Sequence, residues 1–224
     1  MNFKAFAILL FLFSATFKPA AALTNFSVST MYNQLEGQYI PPYDVFQKGL
    51  IGFQKLVEEG KITDKQILTI IDFRLSSSEK RMWVVDISSL KVISSSYVSH
   101  GRNSGMEYAE HFSNKAGSFQ SSLGFYVTAE TYQGKHGLSL RLDGQEKGFN
   151  CNARERAIVL HSAEYASPGF AEQYGRLGRS LGCPAIPLKN HKKIIQQIKD
   201  GTAIFIYYPD PAYLKKSTYL NSFA

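Results

Sequence analysis

Cysteine is nearly absent from this 224-residue chain: Cys151 and Cys183 are the only two. A disulfide-stapled scaffold is thereby excluded, since one bridge is the most the pair can form. The two cysteines and five histidines contain no C-x-x-C and no H-E-x-x-H, so a zinc site would have to be assembled from distant residues. No apolar run is long enough to span a bilayer: Ala5 to Phe17 is 13 residues, where about 20 are needed. Lysine and arginine are scattered, so a formal charge of +7 specifies no nucleic-acid partner. Internal repeats are also missing.

What is there begins with a leader. Lys4 supplies positive charge, the 13-residue apolar run follows, and Ala20-Ala21-Ala22 offers an A-x-A cleavage site. Cleavage after Ala22 leaves an exported chain of 202 residues, enough for one domain with a real core, and lowers the charge to +5 by removing Lys4 and Lys18. The expected location is the periplasm or cell envelope, with no transmembrane segment once the leader is removed.

Residues 23–43 are polar and end in Pro41-Pro42, which predicts a linker or loosely packed arm. Asp44 reads as an N-cap for an amphipathic helix over 45–59, with Phe46, Leu50, Phe53 and Val57 on one face. Short runs rich in β-branched and aromatic residues then predict strands at 66–73, 82–87, 91–93, 123–128, 138–142 and 203–208. Asp72 and Asp86 in these runs read as strand-end salt-bridge or turn residues. The segment Ser99 to Phe119 is loop-like, and His100, Arg102 and Asn103 are its candidates for lining a pocket. Ser167 as N-cap, Pro168 at the first helical position and Gly175 at the far end bracket a short helix. A second helix is predicted from Asn190 to Asp200, with His191 and the lysines outward, and the tail from Pro209 reads as irregular. The pattern is mainly β, with about eight short strands and two or three helices, an α+β class.

The chemistry concentrates between His161 and Cys183. An apolar run, Ala157 to Leu160, ends in His161, and Cys183 follows 22 residues later in the tight stretch Ser180-Leu181-Gly182-Cys183-Pro184. A thiol attacks only as thiolate, and a free cysteine (pKa about 8.5) is mostly protonated at neutral pH, so it needs a base. His161 is that base. Gly182 lets the backbone approach a substrate closely, and the N–H groups of Gly182 and Cys183 are candidates for holding an oxyanion. Acyl transfer is the reaction class these residues favour. Glu164 and Glu172 are candidate orienting groups for His161, with a backbone carbonyl as the alternative.

Two rival readings share the stretch. Gly178-Arg179-Ser180-Leu181-Gly182 matches the serine elbow G-x-S-x-G, but its flanks are too rich in glycine, polar residues and proline for the strand and helix that motif requires. A Cys151–Cys183 disulfide is the other rival, natural in an exported protein. The surroundings of Cys183 favour a free thiol.

The apolar strand ending in His161, the spacer, and Ser180-x-Gly182-Cys183 resemble the L,D-transpeptidase (YkuD-type) catalytic domain. The similarity is strongest to the murein L,D-transpeptidase branch, through Ser99-His100-Gly101-Arg102-Asn103-Ser104-Gly105, Ser121 to Tyr126, Gly134 to Gly144 and Gly175 to Ser180. It runs from about Asp44 to Tyr208, which would make 44–208 the catalytic domain and 209–224 a C-terminal tail. The resemblance implies a β-sandwich or barrel that needs no metal or cofactor. It also implies a thioester on Cys183 formed from a peptidoglycan stem peptide, with D-alanine released and an amine, on another stem or on an unidentified protein, resolving it. Water in that role would give an L,D-carboxypeptidase, and a wall-binding domain without turnover is the third reading. Leu181 and Ala185 stand where the commoner S-H-G-C-x-R motif has histidine and arginine. Arg176 or Arg179 is expected to replace that arginine, and His136, with His100, to contact substrate; Ser180 is assigned to the loop or the substrate. A moderate basic excess suits a wall polymer that bears carboxylates.

Overall fold

The computed structural model describes residues 25–221, so the expected leader at 1–22 lies outside the described residues. The elements in chain order are α1 (Asn25–Asn33), α2 (Tyr43–Glu58), β1 (Ile67–Asp72), β2 (Met82–Asp86), β3 (Lys91–Ser96), β4 (Gly124–Gly134), β5 (Gly137–Gly144), β6 (Val159–Ser162), α3 (Pro168–Tyr174), β7 (Ala185–Ile186), α4 (His191–Ile198), β8 (Ala203–Tyr207) and α5 (Pro211–Lys216). The chain is mostly β, as expected, but the described residues form five α-helices rather than two or three.

All eight strands join in the order β3-β2-β1-β8-β4-β5-β6-β7. β1 and β8 pair in parallel at the centre, and every residue of both is buried. That is why Ile67-Leu68-Thr69-Ile70-Ile71 and Ala203-Ile204-Phe205-Ile206-Tyr207 read as unbroken apolar runs with no alternation. The sheet curls until its edges meet: just past β3, Ser99 pairs antiparallel with Ala185 of β7, making a near-closed barrel. Closure removes the exposed edges that an open sheet would present.

Against the sheet lies α2, which buries Val45, Phe46, Leu50, Phe53 and Leu56. Its two glycines, unfavourable for a helix in isolation, are contact surfaces. A Cβ at Gly52 would sit 2.0 Å from Cζ of Phe125, and one at Gly49 would sit 3.3 Å from Ile70 and Phe205. The helix starts two residues before the predicted 45–59 boundary, behind Pro42. Asp44 does not cap it but lies in the first turn, where its carboxylate meets Arg74 at 2.7 Å. Arg74 also pairs with the buried Asp72, so Asp72 has the expected salt bridge. Asp86 accepts hydrogen bonds from Ser88 in a turn.

Three local expectations are corrected. The supposed arm over 23–43 contains α1, whose Val28 joins the core and whose Tyr32 packs on Tyr43 and Phe46. The tail is not irregular: α5 is capped by Asp210, and Tyr213 and Tyr219 join the core. Tyr213 Oη and Ser217 Oγ donate to the buried Glu146, whose carboxylate also accepts Phe125 N–H at 2.8 Å. His191 faces inward on α4, with Nδ1 2.8 Å from the Leu188 carbonyl, rather than outward with the lysines. The short helix is as expected: Ser167 Oγ accepts from Phe170 N–H, and Gly175 takes φ +71° at its C-terminus.

The α2 contact yields a direct test. Gly52→Ala forces a methyl into Phe125 and should cost about 1–3 kcal/mol of unfolding free energy. Urea denaturation measures it, and a wild-type midpoint would show that α2 does not sit against Phe125.

Candidate functional site

Strand pairing builds the site. β6 and β7 run parallel, with His161 opposite Ala185 and Ser162 opposite Ile186, and His161 N–H donates to the Pro184 carbonyl at 3.3 Å. Two residues earlier on both chains, Cys183 lies beside Val159, whose N–H reaches Sγ at 3.5 Å. The thiol in turn points at the Ala157 carbonyl, 3.7 Å away. Val159, beside the thiol, and His161 are two residues apart on β6. Cys183 and His161 both line one cavity of about 580 Å³.

The histidine's tautomer follows from its partner. Nδ1 lies 2.9 Å from the Ser162 carbonyl, which can only accept, so Nδ1 carries the proton and Nε2 of the neutral ring is the free base. A backbone carbonyl therefore orients His161; neither Glu164 nor Glu172 does. Burial holds the imidazole below its ordinary pKa of 6.5, and the nearby His136 and Lys135 push the same way against the Ser162 bond. Burial also raises the Cys183 thiol above 9.0, partly offset by the Val159 N–H and the charges of Arg156 and Lys135. The resting pair is thus neutral thiol beside neutral imidazole, with the base already unprotonated at pH 7. Cys183 is free, as is the exposed Cys151, so no disulfide joins them.

The loop before the cysteine is held by its own groups. Ser180 Oγ donates to the Cys183 carbonyl at 2.6 Å and accepts Gly182 N–H at 3.1 Å. Gly182 has φ +127°, and a Cβ there would lie 2.9 Å from the Gln120 carbonyl, so only glycine fits. Gly182 N–H is consequently not free for an oxyanion, which corrects the expected pair of donors. Cys183 N–H has no acceptor among the described residues.

The predicted binding residues divide. His136 stacks on His161, ring centres 4.4 Å apart and planes 24° apart, and lines the cavity. It also borders a second cavity of about 560 Å³ on the other side, shared with Lys135. Arg179 lines the thiol cavity, with Nη1 tied to the Arg102 and Gly105 carbonyls at 3.0 Å. Arg176 does not line it, and Nη1 turns to the Leu177 carbonyl at 2.8 Å. His100 does not reach it either: it is buried against Arg81, with Nδ1 2.8 Å from the guanidinium. Among the described residues no group of three or more His, Cys, Asp or Glu is placed to hold a metal.

Sequence reasoning missed Arg156. It lines the thiol cavity, acts on the Cys183 charge, and holds the facing loop by donating to the Ser113 and Gln120 carbonyls at 2.7 and 2.8 Å and to Ser118 and Ser122. No local signal marks it, because Arg154-Glu155-Arg156 reads as a polar loop.

The chain matches a family model described as the L,D-transpeptidase catalytic domain over residues 39–207. Among solved structures it is similar to an L,D-transpeptidase from Mycobacterium smegmatis (13% identity, 64% of this chain and 59% of that one, TM-score 0.40). Others are L,D-transpeptidase 3 from Mycobacterium tuberculosis (11%, 64% and 60%, 0.41) and an L,D-transpeptidase from Xylanimonas cellulosilytica (13%, 80% and 90%, 0.36). The chain spans about three fifths of the length of the two mycobacterial structures. No curated protein matches it.

The two thiols should titrate in opposite directions. Hydrogen bonds from the Gly148 backbone and Asn114 lower Cys151, whereas burial raises Cys183. Iodoacetamide labelling followed by peptide mass analysis should therefore modify Cys151 at lower pH than Cys183, and Arg156→Met should move Cys183 labelling to still higher pH. Equal profiles would contradict this electrostatic reading.

Proposed function

The chain belongs to the L,D-transpeptidase catalytic domain family, and on that premise we propose that it is a cysteine acyltransferase acting on peptidoglycan stem peptides in the cell envelope. The observation that carries the reading is the β6–β7 register, which sets the Cys183 thiol and the His161 imidazole on one cavity wall.

In the first step His161 Nε2 takes the thiol proton as Sγ attacks the carbonyl carbon between the L-configured centre of the stem and its terminal D-alanine. Because thiol and imidazole both rest neutral, proton transfer accompanies attack. Cys183 N–H is the donor for the oxyanion, and Arg156 and Lys135 are the cations nearest the developing sulfur charge. Collapse breaks the C–N bond, Nε2 returns the proton to the departing amine of D-alanine, and a thioester remains. An amine on a second stem then loses its proton to Nε2, attacks the thioester and regenerates the thiol. His136 and Arg179 contact the stem, while Ser180 fixes the loop.

Purified protein given tetrapeptide stems should yield cross-linked dimers and free D-alanine, and Cys183→Ala and His161→Ala should each lose at least about 10³-fold in turnover. Free tripeptide without dimer would make water the acceptor, and full function in Cys183→Ala would leave a binding domain. Arg176→Ala should stay near wild type. The acid limb of the rate profile should lie below pH 6.5, because activity is lost only when the depressed His161 becomes protonated.

A further inference from the structure

Arg81 stands directly before β2 and is completely buried, yet it makes no ion pair among the described residues. The carboxylates of Asp72, Glu79 and Glu107 act on it only through space, and burial draws its pKa down to about 9, so it is still charged at neutral pH. Its donors go to neutral acceptors: Nε and Nη2 to the Val98 carbonyl at 3.1 and 2.9 Å, Nη1 to the Leu75 carbonyl at 2.8 Å, and Nη2 to His100 Nδ1 at 2.8 Å. A cation buried without a counter-ion is costly, and it is held here by the neutral acceptors that satisfy its donors. A guanidinium offers no acceptor, so His100 Nδ1 must be the unprotonated nitrogen and its N–H sits at Nε2, facing the Gly105 carbonyl at 3.4 Å. Burial and the adjacent charge hold His100 down at about 3, so the pair keeps this arrangement throughout the working pH range.

The backbone around that imidazole grips the cysteine loop on both sides of the nucleophile. The His100 carbonyl accepts Ser180 N–H at 2.9 Å, Arg102 N–H donates to the Ser180 carbonyl at 2.8 Å, and Ser99 N–H donates to the Ala185 carbonyl at 2.8 Å. Gly101 N–H donates to Ser121 Oγ at 3.0 Å, and that hydroxyl donates to the Gly182 carbonyl, also at 3.0 Å. Three direct bonds and a bridge through Ser121 thus fix residues 180, 182 and 185 to a segment that His100 anchors to the β1–β2 connection, through its contact with Arg81 and its edge-on packing against the buried Phe73.

We propose that Arg81 and His100 are positioning residues for Cys183: the buried cation sets the ring of His100, the ring sets segment 99–102, and that segment sets the depth and orientation of the thiol beside His161. The proposal rests on Cys183 being the nucleophile, and neither residue touches substrate.

The test separates positioning from stability. Removing one partner of a buried pair strands the other, whereas removing both is close to neutral for folding. The reporters, all in a Cys151→Ser background, are thermal unfolding and the pH–rate profile of Cys183 alkylation by iodoacetamide, which needs no wall substrate. Arg81→Met and His100→Leu should each lower the melting temperature, and the double variant should recover part of the His100-linked loss, the Leu75 and Val98 carbonyls still lacking their Arg81 donors. The double variant should nevertheless keep a shifted Cys183 profile and, with tetrapeptide stems, a kcat at least about tenfold down with little change in KM. His100→Asn, which keeps an acceptor where Nδ1 sits, should restore the profile. A stable double variant with the wild-type Cys183 profile overturns the proposal; if that variant does not fold, a wild-type profile in His100→Leu overturns it equally. Altered alkylation with no stem turnover in the parent protein would retain the positioning role and reject the substrate assignment.

Discussion

The structure depends on how its barrel is closed. β7 is two residues long and could not hold itself in place; it exists because β6 pairs with it on one side and Ser99 on the other. That double pairing joins the first and last edges of an eight-stranded sheet, and it is also what brings the cysteine loop to the histidine strand. Fold closure and site assembly are therefore the same set of backbone hydrogen bonds. A substitution that loosens the 99–102 segment acts on the chemistry before it acts on the core, which is anchored separately by the buried β1–β8 pair.

Within this frame a neutral thiol and a neutral imidazole face a cavity whose charged lining is cationic, from Lys135, Arg156 and Arg179. The thiol is raised and the imidazole lowered by the same burial, and the Ser162 carbonyl fixes which ring nitrogen is free. Cations stand near the sulfur at Arg156 and Lys135, and in the proposed reaction charge separation is left to the transition state, where it is stabilised most.

Much of this was legible in the residues. The thiol, its proposed base, the spacer helix and the tight glycine turn each rest on local chemistry: Ser167, Pro168 and Gly175 announce a helix by capping rules, and β1 and β8 announce strands by their β-branched and aromatic composition. What escaped depends on distant partners. The α1 and α5 segments are polar along their own length and become ordered only through contacts such as Tyr213 with Glu146, 67 residues away. The expected strand at 123–128 stops short of the far part of β4, which runs on to Gly134 and is only partly covered. Nothing local marks Arg156, at the end of a polar segment, or Arg81, and only the fold shows one lining the thiol cavity and the other buried against His100. His100 looked like a pocket residue because its neighbours are loop-like, whereas its ring is consumed by Arg81.

The claim at the centre is that one sulfur accepts the acyl group. Rapid acid quench of the protein with a tetrapeptide stem, followed by mass analysis of the peptides carrying each cysteine, addresses it most directly. The account predicts an adduct of the stem minus its terminal D-alanine on Cys183 and none on Cys151. An unmodified Cys183 during steady turnover, or an adduct on Cys151 instead, would contradict it.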